Sequence, residues 1–374
     1  MSAGRGLLLG AALLCAAVGT VAAQAADPVK VAVIMDVSGP VATLGQYAKR
    51  GADIALKEIN DDGGIRGRPL EFVSLNSESK PDLATSLGMR VIAQPDVVAM
   101  IGGNFGSTQF ALSALAEKSK MPFSTPTGIV TDEQRSWKYT FFTLVESNDT
   151  AKAMLAYAKS KGYKRVAIMR LEREYGELGS KFLRQNAADY GVEIIAEERG
   201  ADGDRDFTAQ LSKLRDAKPD LIVVWFANPG GSLLLKNAKQ IGITTPLIAP
   251  PSMDSAATVK LAGDAAEGLV LAAQIAGGDV LPRQKQFAQE YAAAYPATPE
   301  PNSFEAAGYD AVKVVGLALR KIDPPYSREK VRDALAVLDF EGAGSIVHYT
   351  KKNDPGADAI VMTQIKNGKF VLVH

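Results

Sequence analysis

The sequence of 374 residues has little of the chemistry from which most enzyme and metal sites are built. It contains one cysteine, Cys15, and two histidines, His348 and His374. A single cysteine excludes an intrachain disulfide and a multi-cysteine metal site. Both histidines lie in or beside the last predicted strands, far from the carboxylate-rich loops, so they form neither a triad nor a metal site. We therefore expect His348 to be an ordinary strand side chain, and we predict no metal, no cofactor and no catalytic residue.

An excess of charge of one sign is also missing, since Lys and Arg number 42 and Asp and Glu number 42. Nucleic-acid-binding proteins normally carry a basic surplus or patch, so no nucleic-acid partner is expected. The sequence has no G-x-G-x-x-G opening a helix, no G-x-x-x-x-G-K-[ST] loop and no G-x-S-x-G elbow. Acidic residues alternate from Asp202 to Asp206 but lack the spaced Glu of a calcium loop. We predict a solvated loop in which Asp206 caps the next helix.

Residues 1–25 have the three parts of a cleavable signal peptide. Arg5 supplies a short positive region, residues 7–21 are apolar, and Ala23-Gln-Ala25 is a small-x-small cleavage site. The apolar run is shorter than the about 20 residues that a membrane span needs. Leu14 stands before Cys15 where a lipidation motif requires a small residue. Cleavage after Ala25 removes Cys15, so we predict an exported, periplasmic chain without a membrane span.

The rest of the chain alternates strands and helices in two similar sets. The first set has strands at 29–35, 70–75 and 97–101 and helices at 44–60 and 81–94. The second has strands at 165–169, 192–196, 220–226 and 246–249 and helices beginning at Asp149 or Thr150 and at 180, 207 and 230. A strand at 268–275, helices at 283–295, 304–321 and 328–338, and strands at 346–349 and 360–366 complete the chain. This alternation predicts two α/β units with parallel sheets covered by helices on both faces, and a cleft between them.

One stretch is arranged as a ligand site. A buried strand over 97–101 is followed by a Gly-rich turn and a helix from about Ser107 to Lys118. Such a turn exposes backbone N–H groups at a helix N-terminus, which favours an anion, and ligands of open α/β sheets sit at turns of this kind. A second polar turn follows the short strand at 121–125. An ordinary βα connection is the alternative. Tyr175 also follows a strand, and it either faces the interdomain cleft or simply packs in the core.

Taken together, the motifs resemble those of the type I periplasmic substrate-binding proteins of ABC transporters, in the leucine/isoleucine/valine-binding family. The resemblance runs the length of the mature chain. It is carried by Ser38-Gly-Pro40, Gly51-Ala52, Ile59-Asn60, Gly63-Gly-Ile-Arg-Gly67, Ile101-Gly102, Ser107-Thr108, Thr125-Pro126, Tyr175-Gly176, Asp206-Phe207, Gly242 and Tyr309-Asp310.

The resemblance implies two Rossmann-like lobes joined by three hinge crossovers, near 144–148, 272–276 and 349–354. Lobe 1 is expected to comprise 26–145 and 275–350, and lobe 2 to comprise 146–274 and 351–374. A protein of this kind is a monomer and not an enzyme. It closes on a small carboxylate ligand and delivers that ligand to an ABC permease. A ligand-sensing module and an exported α/β enzyme stay open as alternatives.

Carried over residue by residue, the resemblance also implies a set of ligand contacts. In members of the family that bind α-amino acids, the first turn donates to the ligand carboxylate, and the second turn supplies a carbonyl, an amide and usually a Thr hydroxyl. The disulfide of the best-known members maps to Ser79 and Phe105, which are not cysteines here. The expected binding residues are Phe105, Gly106, Ser107, Thr127, Gly128, Ile129, Tyr175, Ala227, Asp254 and Phe304.

The sequence departs from the family at the positions that serve the ligand ammonium. Ile129 replaces the usual Thr, Ala227 replaces an aromatic residue, and Pro251 stands where the acidic partner is expected; Asp254 is the nearest substitute. A buried ammonium without a compensating charge costs several kcal/mol. The sequence therefore favours a carboxylate ligand without an essential ammonium, such as an aromatic or short organic acid. A branched-chain or other amino acid is the alternative.

Overall fold

The computed structural model describes residues 27–131, 133–201, 203–276, 281–298 and 300–373. The predicted signal peptide, Cys15, Asp202 and His374 lie outside these residues. Within the described ranges, no helix has both the length and the apolar character that a bilayer crossing requires.

The described chain contains all the predicted strands and three that were not predicted. The strands are β1 (Val29–Met35), β2 (Leu70–Asn76), β3 (Val97–Gly102), β4 (Phe123–Thr125), β5 (Thr140–Phe142), β6 (Arg165–Leu171), β7 (Glu193–Gly200), β8 (Leu221–Trp225), β9 (Leu247–Ala249), β10 (Val270–Ala273), β11 (Asp339–Glu341), β12 (Ile346–His348), β13 (Val361–Lys366) and β14 (Lys369–Leu372). The three that were not predicted are β5, β11 and β14.

The helices connect these strands. They are α1 (Ala42–Asp61), α2 (Pro81–Ile92), α3 (Gly106–Ser119), α4 (Ser147–Ser160), α5 (Glu174–Asn186), α6 (Thr208–Asp216), α7 (Gly230–Gln240), α8 (Ala256–Ala262), α9 (Lys285–Ala294), α10 (Ser303–Lys321) and α11 (Arg328–Ala336).

The first sheet has five parallel strands in the order β2-β1-β3-β4-β5. All six residues of β3 are buried, as expected for a strand covered by helices on both faces. The strand order changes direction at β1, because β2 lies on one side of it and β3 on the other. The connections after β1 and β3 therefore leave a crevice at the carboxyl edge of the sheet, where ligands bind in open α/β folds.

The second sheet has seven strands in the order β14-β13-β10-β9-β8-β6-β7. It changes direction between β6 and β8 in the same way. The predicted parallel arrangement holds for β6 to β10, but β13 pairs antiparallel with β10 and β14 pairs antiparallel with β13. The β13–β14 hairpin turns at Asn367 and Gly368, both with positive φ, and Asn-Gly is a strong signal for a two-residue hairpin. The sequence analysis missed this hairpin.

The chain passes three times between the units built on the two sheets. It leaves the first sheet after β5, returns to the helices of the first unit after β10, and enters the second sheet again at β13; β11 and β12 form a separate antiparallel pair. On its return, α10 packs against α1. Gly51 and Gly308 permit a close approach of the two helices, because a Cβ on Gly51 would lie 1.8 Å from the Glu305 carbonyl oxygen and one on Gly308 would lie 2.1 Å from that of Ala48. The α/β class and the crossovers between two sheets are thus confirmed, while the lobe boundaries stay a prediction.

Two predicted helix starts are wrong. Helix α4 begins at Ser147 and not at the predicted cap, and Asp149 lies in its first turn. Helix α5 begins at Glu174, so Tyr175 is part of the helix instead of preceding it. Asp206 is not the predicted cap of α6. The N-cap residue is Phe207, which makes no side-chain cap hydrogen bond, and Asp206 lies one residue earlier, where its Oδ1 accepts a hydrogen bond of 2.7 Å from the N–H of Thr208.

Candidate ligand cleft

A cavity of about 600 Å³ lies between the two sheets. Its walls come from the turns after β1 and β3 on one side and from the turns after β6 and β8 on the other. Both sheets thus present the edge at which their strand order reverses, the usual place for a ligand in such folds. The volume falls within the range of about 300–1,000 Å³ for small-molecule sites.

The N-terminus of α3 forms part of the first wall. Phe105 precedes the helix in extended conformation, and no side chain caps it. The first N–H groups of a helix have no partner within the helix, so those of Gly106 and Ser107 remain at the positive end of the helix dipole. Both residues line the cavity.

Buried Asp36, at the end of β1, fixes the position of this helix end. Its Oδ2 accepts a hydrogen bond of 2.7 Å from the Thr108 hydroxyl, and its Oδ1 accepts one of 2.6 Å from Ser77. Burial raises the pKa of Asp36 above its ordinary value. The hydrogen bond between Thr108 and Asp36 thus connects the start of α3 with the end of β1, on the two sides of the crevice in the first sheet.

The turn of Thr127, Gly128 and Ile129 stands beside α3. The Gly128 carbonyl accepts a hydrogen bond of 2.9 Å from the N–H of Ser147, the first residue of α4. A Cβ on Gly128 would lie 2.0 Å from the Val145 carbonyl oxygen, so no larger residue fits there. The bond and the close approach fix this turn against the start of α4.

Tyr175 and Trp225 supply the aromatic part of the second wall. Their ring centroids lie 5.8 Å apart, and both residues line the cavity. The aromatic residue expected at position 227 is absent, but Trp225 stands two residues earlier, and residues i and i+2 of an extended chain point to the same side. Trp225 was not among the binding residues predicted from the sequence, although this spacing of two residues indicated it.

Among the described residues that line the cavity, two are charged, Arg173 and Glu174. They form the turn from β6 into α5, with Glu174 as the first residue of the helix. Burial, followed by the nearby charge of Glu177, raises the pKa of the Glu174 carboxyl above its ordinary value. Neither residue was identified from the sequence. Their position directly after a strand of the second unit could have identified them, because the turn after β3 was identified as a ligand site by its position after a strand.

Asp254 does not line the cavity, although the sequence analysis placed it in the site. Its carboxylate is buried and accepts hydrogen bonds from the Ser303 hydroxyl at 2.6 Å and from the Ser303 N–H at 3.1 Å. Burial raises the pKa of Asp254 to about 6. The residue joins the segment after β9 to the start of α10, and we therefore assign it no contact with the ligand.

The other nine predicted site residues lie together around the cavity. They are Phe105, Gly106, Ser107, Thr127, Gly128, Ile129, Tyr175, Ala227 and Phe304. Pro251, at the position of the missing acid, also lines it. The contacts that these residues make with a ligand stay a prediction.

Comparison with known proteins agrees with this architecture. A sequence model of the periplasmic binding protein family matches residues 28–369. The leucine-, isoleucine-, valine-, threonine- and alanine-binding protein of Pseudomonas aeruginosa is 27% identical over 337 residues, 88% of each chain. The Leu/Ile/Val/Thr-binding protein of Salmonella typhimurium is 25% identical over 248 residues, 66% of this chain and 68% of its own.

Two solved structures show the same fold. The branched-chain amino acid transporter substrate-binding protein LivJ from Streptococcus pneumoniae, in complex with isoleucine, superposes with a TM-score of 0.82 at 25% identity, covering 93% of this chain and 99% of its own. The leucine-binding protein LivK from Thermotoga maritima gives 0.79 at 26% identity, covering 92% and 98%. These names describe binding proteins and not enzymes. As the sequence motifs predicted, the chain belongs to the periplasmic binding protein family and has its type I fold.

Proposed function

We propose that this protein binds a branched-chain or other small aliphatic amino acid in the periplasm and delivers it to an ABC permease. The names of the relatives support an amino acid, and they give no support to the aromatic or short organic acid that the sequence favoured. That preference rested on Ile129, Ala227 and Pro251, which replace the Thr, the aromatic residue and the acidic residue that the family resemblance led us to expect. The observation that carries the proposal is the cavity itself, which has a helix N-terminus on one wall and apolar residues around it.

The ligand carboxylate binds at the start of α3 in this proposal. Backbone N–H groups at a helix N-terminus donate hydrogen bonds to an anion, and the helix dipole adds a favourable charge. Gly106 brings no side chain between the ligand and the helix end, and Ser107 adds a hydroxyl donor.

The ligand side chain occupies the apolar part of the cavity. Aliphatic and aromatic groups from both sides surround this space, and each apolar contact removes ligand surface from water. The apolar lining includes Leu44, Phe105, Ile129, Leu144, Val145, Leu171 and Phe304. These residues suit the aliphatic side chain of leucine, isoleucine or valine and offer it no hydrogen-bond partner.

Closure of two lobes around the ligand is the proposed mechanism. We assign residues 26–145 with 275–350 to lobe 1 and residues 146–274 with 351–374 to lobe 2, and we place the hinge at the three segments that connect the sheets. A ligand stabilises the closed form only through contacts that it makes better there. A zwitterion held by lobe 1 at one end and by lobe 2 at the other satisfies this condition. We propose that the signal peptide at 1–25 directs export, that the mature protein is a monomer, and that the permease recognises the closed form.

Binding to the purified mature chain, residues 26–374, tests the proposal. We expect thermal stabilisation by leucine, isoleucine or valine, since a ligand at 100 times its Kd adds about 2.7 kcal/mol to the free energy of unfolding. Benzoate and phenylacetate should give no shift. A shift with these aromatic acids and none with any amino acid would contradict the proposal.

A pair of variants locates the carboxylate site. Ser107→Glu places a negative charge at the second position of α3 and should abolish binding by repelling the ligand carboxylate. Ala209→Glu makes the same addition at the second position of α6, which lies outside the cavity lining, and should bind normally. If both variants bind the ligand equally well, the ligand carboxylate does not bind at the start of α3.

A further inference from the structure

The amino-acid proposal requires a partner for the ligand ammonium, because a charge enclosed in a cleft must be compensated. Among the described residues, Glu174 is the one carboxylate that lines the cavity. Its side chain makes no ion pair or hydrogen bond with another described residue, and the charge that affects its pKa is the like charge of Glu177. An acidic group in the cavity wall thus remains available to a cation.

The hydrogen bonds of Tyr175 add a second acceptor beside it. The Ser252 hydroxyl lies 2.5 Å from the Phe226 carbonyl oxygen, which has no hydrogen to give, so Ser252 donates there. The Tyr175 hydroxyl lies 2.9 Å from the same Ser252 oxygen. Because the one hydroxyl hydrogen of Ser252 is already used, Tyr175 must donate to Ser252, and the remaining capacity of the Tyr175 oxygen is that of an acceptor.

The two aromatic rings favour the same type of ligand group. A cation near the face of Trp or Tyr is attracted by the ring quadrupole, and the rings of Tyr175 and Trp225 lie together in this wall. The second wall therefore combines a carboxylate, a hydroxyl that accepts, and two aromatic rings, beside the positive charge of Arg173, which has an interaction of its own. The carboxylate, the accepting hydroxyl and the rings attract an ammonium ion, whereas a ligand group that accepts hydrogen bonds, such as a keto oxygen, finds no donor in Tyr175.

We infer that Glu174 determines specificity for the ligand ammonium, in place of the acidic residue that is missing at position 251. This inference rests on the proposed function and extends it. The ligand carboxylate binds the start of α3, and its ammonium binds the start of α5, so a zwitterion connects the two walls. A 2-oxo acid makes the first contact alone and gains little from closure.

The experiment measures calorimetric Kd values of the mature protein for leucine, isoleucine and valine, each paired with its 2-oxo acid. Glu174→Gln removes the charge and keeps the size of the side chain. Glu177→Gln is the matched control, because Glu177 lies in the same helical turn and outside the cavity lining. Far-UV circular dichroism and thermal unfolding verify that both variants fold like the wild type.

We expect Glu174→Gln to weaken binding of the preferred amino acid by at least about tenfold, since loss of one partner of a charge pair in the closed cleft leaves the ligand ammonium without compensation. Its affinity for the 2-oxo acid should change less than twofold, so the preference for the amino acid shrinks. Glu177→Gln should leave both affinities within twofold of the wild type.

Two results would overturn the inference, and they are distinguishable. If the wild type binds an amino acid and both variants bind it equally, Glu174 is not the ammonium partner while the proposed function stands. If the wild type binds none of the three amino acids, the proposed function fails, and the inference fails with it.

Discussion

Gln274 holds together the segments that connect the two sheets, and its replacement gives a quantitative test of the fold. It follows β10, where the chain leaves the second sheet, and its side chain is fully buried. Its Oε1 accepts a hydrogen bond of 2.9 Å from the Val145 N–H, between β5 and α4. Its Nε2 donates to the Gly344 carbonyl at 2.6 Å, shortly before β12. One amide thus connects the first two passages of the chain between the sheets with the turn between β11 and β12.

Gln274→Leu keeps the approximate size of the side chain and removes both polar atoms. Two buried backbone groups lose their partner, the Val145 N–H and the Gly344 carbonyl. The Thr143 carbonyl, 3.4 Å from Nε2, keeps its bond of 2.5 Å from the Ser345 hydroxyl. Each unsatisfied group costs about 1–3 kcal/mol, so we expect the free energy of unfolding to fall by about 2–6 kcal/mol.

Urea unfolding followed by circular dichroism measures this loss as a lower midpoint at an unchanged slope. Gln364→Leu is the control, because Gln364 makes one exposed hydrogen bond, of 3.0 Å, to the Gly268 carbonyl from neighbouring β13. Its effect should stay within about 0.5 kcal/mol. If the two variants lose the same free energy of unfolding, the amide of Gln274 does not hold the connecting segments together.

Two further predictions concern the second wall and the buried acid behind it. A Cβ on Gly179 of α5 would lie 2.2 Å from the Trp225 ring, so Gly179→Ala should lower the free energy of unfolding by about 1–3 kcal/mol and shift the tryptophan fluorescence. Gly230→Ala, whose added methyl lies 3.5 Å from Phe226, should do neither, and equal effects would exclude a tight contact at Gly179. Burial raises the pKa of Asp254 from 3.8 to about 6. Between these two pH values the folded protein therefore binds more protons than the unfolded chain, and we expect its free energy of unfolding to fall as the pH rises from about 4 to 6. Urea unfolding at several pH values should show that the free energy of unfolding of Asp254→Asn falls less with pH than that of the wild type. An equal fall in both proteins would contradict the raised pKa of Asp254.

The sequence was sufficient for most of the elements in their order, although not for β5, α8, β11 and β14, and for the first wall of the site. Apolar runs and helical spacing predicted β3 and α3 to within one residue at either end, because their signals are local. The family resemblance then placed Gly106, Ser107 and Ile129 around one ligand, and these residues do line the cavity. Helix starts were less predictable. Asp149 is a good capping residue, yet α4 begins earlier, since packing overrides the weak local preference for a cap.

The sequence by itself determined the α/β class, the family and the wall that carries the helix N-terminus of α3, because repeated strand–helix periodicity and short motifs are written in neighbouring residues. Only the tertiary structure decided which charges face the cavity. Asp254 and Glu174 are both acidic residues that follow strands of the second sheet, and nothing in their neighbours distinguishes them. The start of α10, distant in the chain, binds the carboxylate of Asp254, whereas Glu174 remains in the cavity wall. That difference depends on how the two sheets come together, which local periodicity does not encode.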